Sequence, residues 1–170
     1  MFINFIHCFY LSLTFCHPPE SDPAAYNELP ALCTQCMFGT SGIRGPVGDV
    51  VTADLALDVG RAVAADTQTV VVGRDARTTG AVLADALSAG LRECGTDVIR
   101  LGVVSTPTLA RSVEWFDADA GVGITASHNP APDNGIKLWT RSGQSFPPDR
   151  TADIEDRLAS DVVDYAAWDG

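Results

Sequence analysis

Ser127 lies in the run Thr125-Ala126-Ser127-His128-Asn129-Pro130, ten residues ahead of Lys137, the one lysine of the chain. The apolar segment before it, Ala120-Gly121-Val122-Gly123-Ile124, reads as a buried strand that ends just short of the serine. A hydroxyl pushed out from a strand end, beside an imidazole and an ammonium group, suits phosphoryl chemistry. That reaction needs an oxygen nucleophile, a proton acceptor and cations for the charge on the moving group. Composition sharpens the point: ten of the eleven basic residues are Arg, and His128 is the only His after His17. Arg44 is a further candidate. It sits in Phe38-Gly39-Thr40-Ser41-Gly42-Ile43-Arg44-Gly45-Pro46, where glycines let the backbone approach an anion that the guanidinium grips through two parallel bonds.

The elements that must position these groups follow from periodicity. Phe38 to Gly48 reads as a loop, and Thr52-Ala53-Asp54 caps a helix running to about Ala65, with Leu55, Val59, Ala62 and Val63 on one face. Thr69–Val72 is a β-branched strand leading into Gly73-Arg74-Asp75-Ala76-Arg77. A second helix spans about Thr79 to Cys94, burying Val82, Leu83, Ala86, Leu87, Gly90 and Leu91, and stops at Gly95. A strand over Val98–Leu101, a helix from Thr106-Pro107-Thr108 through Trp115 and the strand 120–125 come next. Asn134-Gly135 then reads as a turn into a returning strand, Ile136–Thr140, and a last helix covers about Asp149 to Ser160. This order predicts an α/β fold with a mixed, mostly parallel sheet covered on both faces and one antiparallel strand. In such sheets the working loops gather at the carboxyl ends of the strands, where Gly73–Arg77, Gly102–Thr108 and Thr125–Asn134 all fall.

Composition sets the exclusions. At 170 residues the chain fits one domain, and its formal charge of −11 disfavours nucleic acid and anionic membranes. An acidic surface nearly free of lysine also suits solubility in high salt, and any anionic substrate must be drawn in by local arginines. No apolar run reaches the length of a membrane span. Residues 1–36 differ from the rest: they carry no Lys or Arg and hold Cys8, Cys16, Cys33 and Cys36, four of the five cysteines. A secretory leader is disfavoured by the missing basic start and cleavage site, and the cysteine spacing fits no zinc pattern. Residues 1–36 are therefore expected to be an unstructured or spurious extension, with Met37 the true start. Cys94 is expected to be a small buried hydrophobe in a reducing compartment, the cytoplasm. A serine hydrolase is disfavoured because Ala126-Ser127-His128 lacks the Gly-x-Ser-x-Gly elbow, and a nucleotide P-loop because Gly39–Gly45 lacks the Gly-Lys-Ser/Thr ending. A non-enzymatic module holding sugar phosphate through Arg44 stays open as the alternative.

Three motifs in order, the Phe38–Gly45 run, Gly73-Arg74-Asp75, and Gly123–Pro130 with Asn134-Gly135-Ile136-Lys137, resemble the first domain of the α-D-phosphohexomutases. The resemblance covers residues 37–165 and implies a three-layer α/β/α domain, with 166–170 the start of a linker to further domains. It implies that Ser127 is a phosphoserine passing its phosphate to a hexose phosphate, so that phosphate moves between the 1- and 6-positions through a bisphosphorylated sugar. Arg44 would bind phosphate. Lys137, tuned by desolvation, and His128 would serve proton transfer, with acid and base unassigned. Arg74 and Asp75 are read as bracing one another and the serine loop. The family's cofactor is Mg²⁺, held by one phosphoserine oxygen and an aspartate-rich loop of a second domain. No Asp-x-Asp-x-Asp run follows Ser127 here, so the chain alone is expected to have negligible mutase activity. It would also leave a former domain contact exposed near Tyr165 and Trp168.

Overall fold

A computed structural model describes residues 37–39, 42–160 and 162–167. The expectations for residues 1–36, with their four cysteines, and for Trp168 lie outside the described residues. The elements are β1 (Ile43–Pro46), α1 (Ala53–Ala64), β2 (Thr69–Arg74), α2 (Gly80–Glu93), β3 (Asp97–Val103), α3 (Thr106–Trp115), β4 (Ala120–Ile124), β5 (Asp133–Thr140) and α4 (Pro148–Leu158). The five strands form one sheet in the order β1-β5-β4-β2-β3. β2 pairs parallel with β3 and β4, while β5 runs antiparallel between β4 and β1. Four of the five strands thus point one way, as expected of a mostly parallel sheet with one reversed strand.

Alternation along β2 feeds two cores. Val70 and Val72 face α1, α2 and α4 in a large cluster with Val122, Ile124, Ile136, Leu83 and Leu87, whereas Val71 faces α3 with Leu109, Val113 and Trp139. Thr52 caps α1 by accepting the Leu55 N–H at 3.0 Å. α1 and α2 cross closely because Gly60 and Gly90 lack side chains: a Cβ on Gly60 would sit 2.4 Å from the Leu87 carbonyl oxygen. Arg157 ties α4 to this layer through the Ala62 carbonyl at 3.0 Å and an ion pair with Asp66 at 2.6 Å.

Several local expectations need correction. The Gly-rich stretch is not all loop, since Ile43–Pro46 forms β1 by pairing with Ile136–Asp133. Asn134-Gly135 is not a turn but part of β5, opposite Gly45 and Arg44, and buried Asn134 donates its amide to Thr79 Oγ1 at 3.0 Å. Val82 is 54% exposed because the buried stripe of α2 runs through Gly80, Leu83, Ala84, Leu87, Ser88 and Leu91, one position away from it. Cys94 is only half-buried, and its partial burial pushes the thiol pKa up. Tyr165 is exposed, as are Trp115 and Phe116 at the end of α3.

Candidate functional site

The chain leaves β2 through α2 on one face of the sheet and reaches β4 through α3 on the other. The carboxyl ends of β2 and β4 therefore diverge into a crevice, the place where open α/β sheets bind ligands. A cleft of about 420 Å³ lies there, lined by Gly73–Asp75 at the end of β2, Val104–Thr106 at the start of α3, and Gly123–Thr125, Ser127 and His128 at and just beyond the end of β4. Ser105 caps α3, so the positive end of that helix borders the cleft.

Ser127 is exposed at the cleft wall and takes φ 55°, a left-handed conformation that costs a non-glycine residue free energy. A chain of hydrogen bonds holds it there. The Ser127 N–H donates to Thr125 Oγ1 at 3.0 Å, and that hydroxyl donates to Asp75 Oδ2 at 2.7 Å. Asp75 also accepts the Arg77 backbone N–H at 3.0 Å and the Arg77 Nε–H at 3.3 Å. The serine hydroxyl itself lies 3.5 Å from His128 Nδ1, at the outer limit of a hydrogen bond. Asp75 thus braces the serine loop. Arg74 is different: it donates to the Asp75 backbone carbonyl at 3.2 Å, not to the carboxylate, and its side chain packs beside Gly80 at the start of α2.

The other two candidates stand on neighbouring strands. Lys137 on β5 is opposite Gly123, with its ammonium 5.3 Å from the Trp139 ring centre, and Trp139 lines the cleft. Lys137 itself lines a separate cavity of about 360 Å³ with Phe38, Gly39 and Phe146. Arg44 on β1 faces Gly135, whose carbonyl accepts the Thr125 N–H at 2.9 Å. Its Nε is buried without a hydrogen-bond partner among the described residues. Cross-strand partners share a face, so Arg44, Gly135, Lys137, Gly123 and Trp139 all lie on the α3 side of the sheet. The fold therefore brings Ser127, His128, Arg74 and Asp75 to one cleft, and sets Lys137 and Arg44 one and two strands away from β4.

Among the described residues no group of three or more His, Cys, Asp or Glu side chains is placed to hold a metal. Asp75, the carboxylate of the cleft, has both oxygens engaged by Thr125 and Arg77. A magnesium ion demands a near-octahedral set of oxygens, and these residues offer it at most the oxygen on Ser127, so they do not make a resident magnesium site. No helix among the described residues is long and apolar enough to cross a membrane.

Residues 35–162 match the sequence profile described as "Phosphoglucomutase/phosphomannomutase, alpha/beta/alpha domain I". A protein named "Probable phosphoglucosamine mutase" from Methanobrevibacter smithii is 44% identical over 136 residues, which make up 78% of this chain and 31% of that protein. One of the same name from Methanopyrus kandleri is 48% identical over 134 residues, covering 78% of this chain and 29% of its own. Among solved structures, a phosphoglucomutase/phosphomannomutase family protein from Burkholderia thailandensis superposes with TM-score 0.62 at 32% identity, over 72% of this chain and 30% of that one. The chain thus spans under a third of the length of these relatives.

Proposed function

The chain belongs to the phosphoglucomutase/phosphomannomutase family through its alpha/beta/alpha domain I, and from that premise we propose that Ser127 carries the phosphoryl group of a hexose-phosphate mutase. One observation carries the reading: an exposed serine hydroxyl, held at a strained left-handed backbone, stands at the crevice between β2 and β4. Strain of this kind persists where the surroundings over-determine it, and it concentrates at working sites.

In the forward half-reaction a hydroxyl oxygen of a hexose monophosphate attacks phosphorus in line. The new P–O bond forms to the sugar as the bond to Ser127 Oγ breaks, its electron pair remaining on the serine oxygen. The sugar hydroxyl's proton passes to a base and a proton returns to Oγ, roles given to Lys137 and His128. Reversal with the other phosphate of the bisphosphorylated sugar restores phosphoserine and completes the shift between the 1- and 6-positions. Arg44 supplies the bidentate grip on phosphate, and no hydrogen bond among the described residues commits its Nε elsewhere. Choice among glucose, mannose and glucosamine phosphates falls to the part of the relatives that this chain does not span, so the chain alone takes up phosphate without interconverting the two monophosphates.

The test is to incubate the chain with a hexose 1,6-bisphosphate and measure its intact mass. The expected result is an increment of one phosphate, absent in Ser127→Ala. An unmodified wild-type chain, or the same increment in the variant, would overturn the reading.

A further inference from the structure

Arg77 is one of ten arginines, and its neighbourhood is unlike that of the rest. A guanidinium has five N–H donors, and all five are committed here. Nε donates to Asp75 Oδ2 at 3.3 Å; Nη1 to the carbonyls of Pro130 and Asp133 at 2.7 and 2.9 Å; Nη2 to the carbonyls of Ser127 and Asn129 at 3.0 and 2.7 Å. Four carbonyls from a single stretch, residues 127–133, thus converge on one cation that is itself only 16% exposed. Its base is fixed as well. The Arg77 N–H is held by Asp75 Oδ1, and the Asp75 N–H by the Ile124 carbonyl at the end of β4.

The loop needs such a fixture. Carbonyls that turn inward on a common centre repel one another and forgo water, so without a cation the arrangement is unfavourable. Ser127 adds the cost of φ 55°. We propose that Arg77 is the positioning residue for Ser127, its fork of donors gathering the loop so that the serine hydroxyl is presented to the cleft. This rests on the reading of Ser127 as the phosphoryl carrier. With every donor spent on the protein, Arg77 has none left for a substrate phosphate. A lysine cannot replace it, having three donors and no planar fork.

The experiment compares wild type with Arg77→Ala and Arg77→Lys in two readouts. The first is backbone hydrogen exchange. Amides of residues 127–133 exchange at least about 10-fold faster in Arg77→Ala, with those of β2 and β4 protected as before. The second is the rate of Ser127 phosphorylation by a hexose 1,6-bisphosphate. Its maximal value falls by about 100-fold, the penalty typical of a reacting atom displaced by an ångström, while the half-saturating donor concentration stays the same. Millimolar guanidinium ion restores part of the rate to Arg77→Ala, and Arg77→Lys lies between the two. Unchanged exchange and rate in Arg77→Ala, or a raised half-saturating concentration at full maximal rate, overturns the proposal, the latter because it marks a donor contact. If the wild-type chain takes up no phosphate, the carrier reading fails on its own, and the exchange comparison still decides the clamp.

Discussion

Replacing Thr125 by valine removes one hydroxyl and leaves the side-chain shape nearly unchanged, so the effect isolates the hydrogen bonds beneath Ser127. The residue is 8% exposed, and water cannot readily take over its partners. Its hydroxyl donates to the Asp75 carboxylate at 2.7 Å and accepts the Ser127 N–H at 3.0 Å. A hydrogen bond to a charged group contributes about 1.5–3 kcal/mol, and an N–H left without a partner costs a further ~1 kcal/mol where some solvent can reach it. Thr125→Val should therefore lose about 3 kcal/mol, which in a domain of this size lowers Tm by roughly 10 °C. The assay is differential scanning calorimetry, with Thr140→Val as control. Among the described residues that half-buried hydroxyl bonds only Ser142 Oγ and the Gln144 carbonyl in a turn, so its removal should change stability by less than ~1 kcal/mol. Thr125→Ser keeps the hydroxyl and should retain most of the difference. If Thr125→Val melts within about 2 °C of wild type, the hydrogen-bond chain does not hold the loop, and the argument for a pre-set Ser127 fails.

Other outcomes follow from the same geometry. Ser127→Gly should be more stable than Ser127→Ala by about 1 kcal/mol in chemical denaturation, because only glycine takes φ 55° without strain; equal midpoints would contradict that. Gly123→Ala places a Cβ 2.6 Å from the Trp139 ring, so it should destabilise by about 1–3 kcal/mol and displace the ring that bridges Lys137 and the cleft, visible as a shift in the Trp139 side-chain NMR signals. Asp119 accepts the N–H groups of Thr69 and Gln68, which hold its carboxyl below the ordinary aspartate range. Its folded pKa is thus lower than its unfolded one, so its stabilisation is full above about pH 4 and is lost as pH falls through the lower folded value. The stability gap between wild type and Asp119→Asn should narrow across that acid window, and a gap that is constant with pH would contradict the assignment.

The helices and the central strands were readable because their apolar periods are set locally. Thr52 even marks the start of α1 by its capping chemistry, and Pro107 that of α3 by its place in the first turn. What escaped a linear reading was set by partners far along the chain. Ile43–Pro46 carries glycine and proline and no alternation, and is a strand only because β5 lies beside it. Asn134-Gly135 has turn composition, but its amide is consumed by Thr79, 55 residues away, and the pair enters the ladder instead. The serine loop and the glycine and arginine motifs stood out by residue type and spacing. Arg77 did not, because a cation's type shows its charge but not the four carbonyls, some 50 residues further on, that surround it.

The account stands on the Ser127 hydroxyl as the atom that receives phosphate, and peptide mapping by tandem mass spectrometry after exposure to a hexose 1,6-bisphosphate addresses it directly. The expected outcome is a single phosphate located on Ser127, with none on Ser105, Thr106 or Thr125 in the same crevice or its walls. Phosphate found on one of those neighbours, or on no residue of the chain, would contradict it.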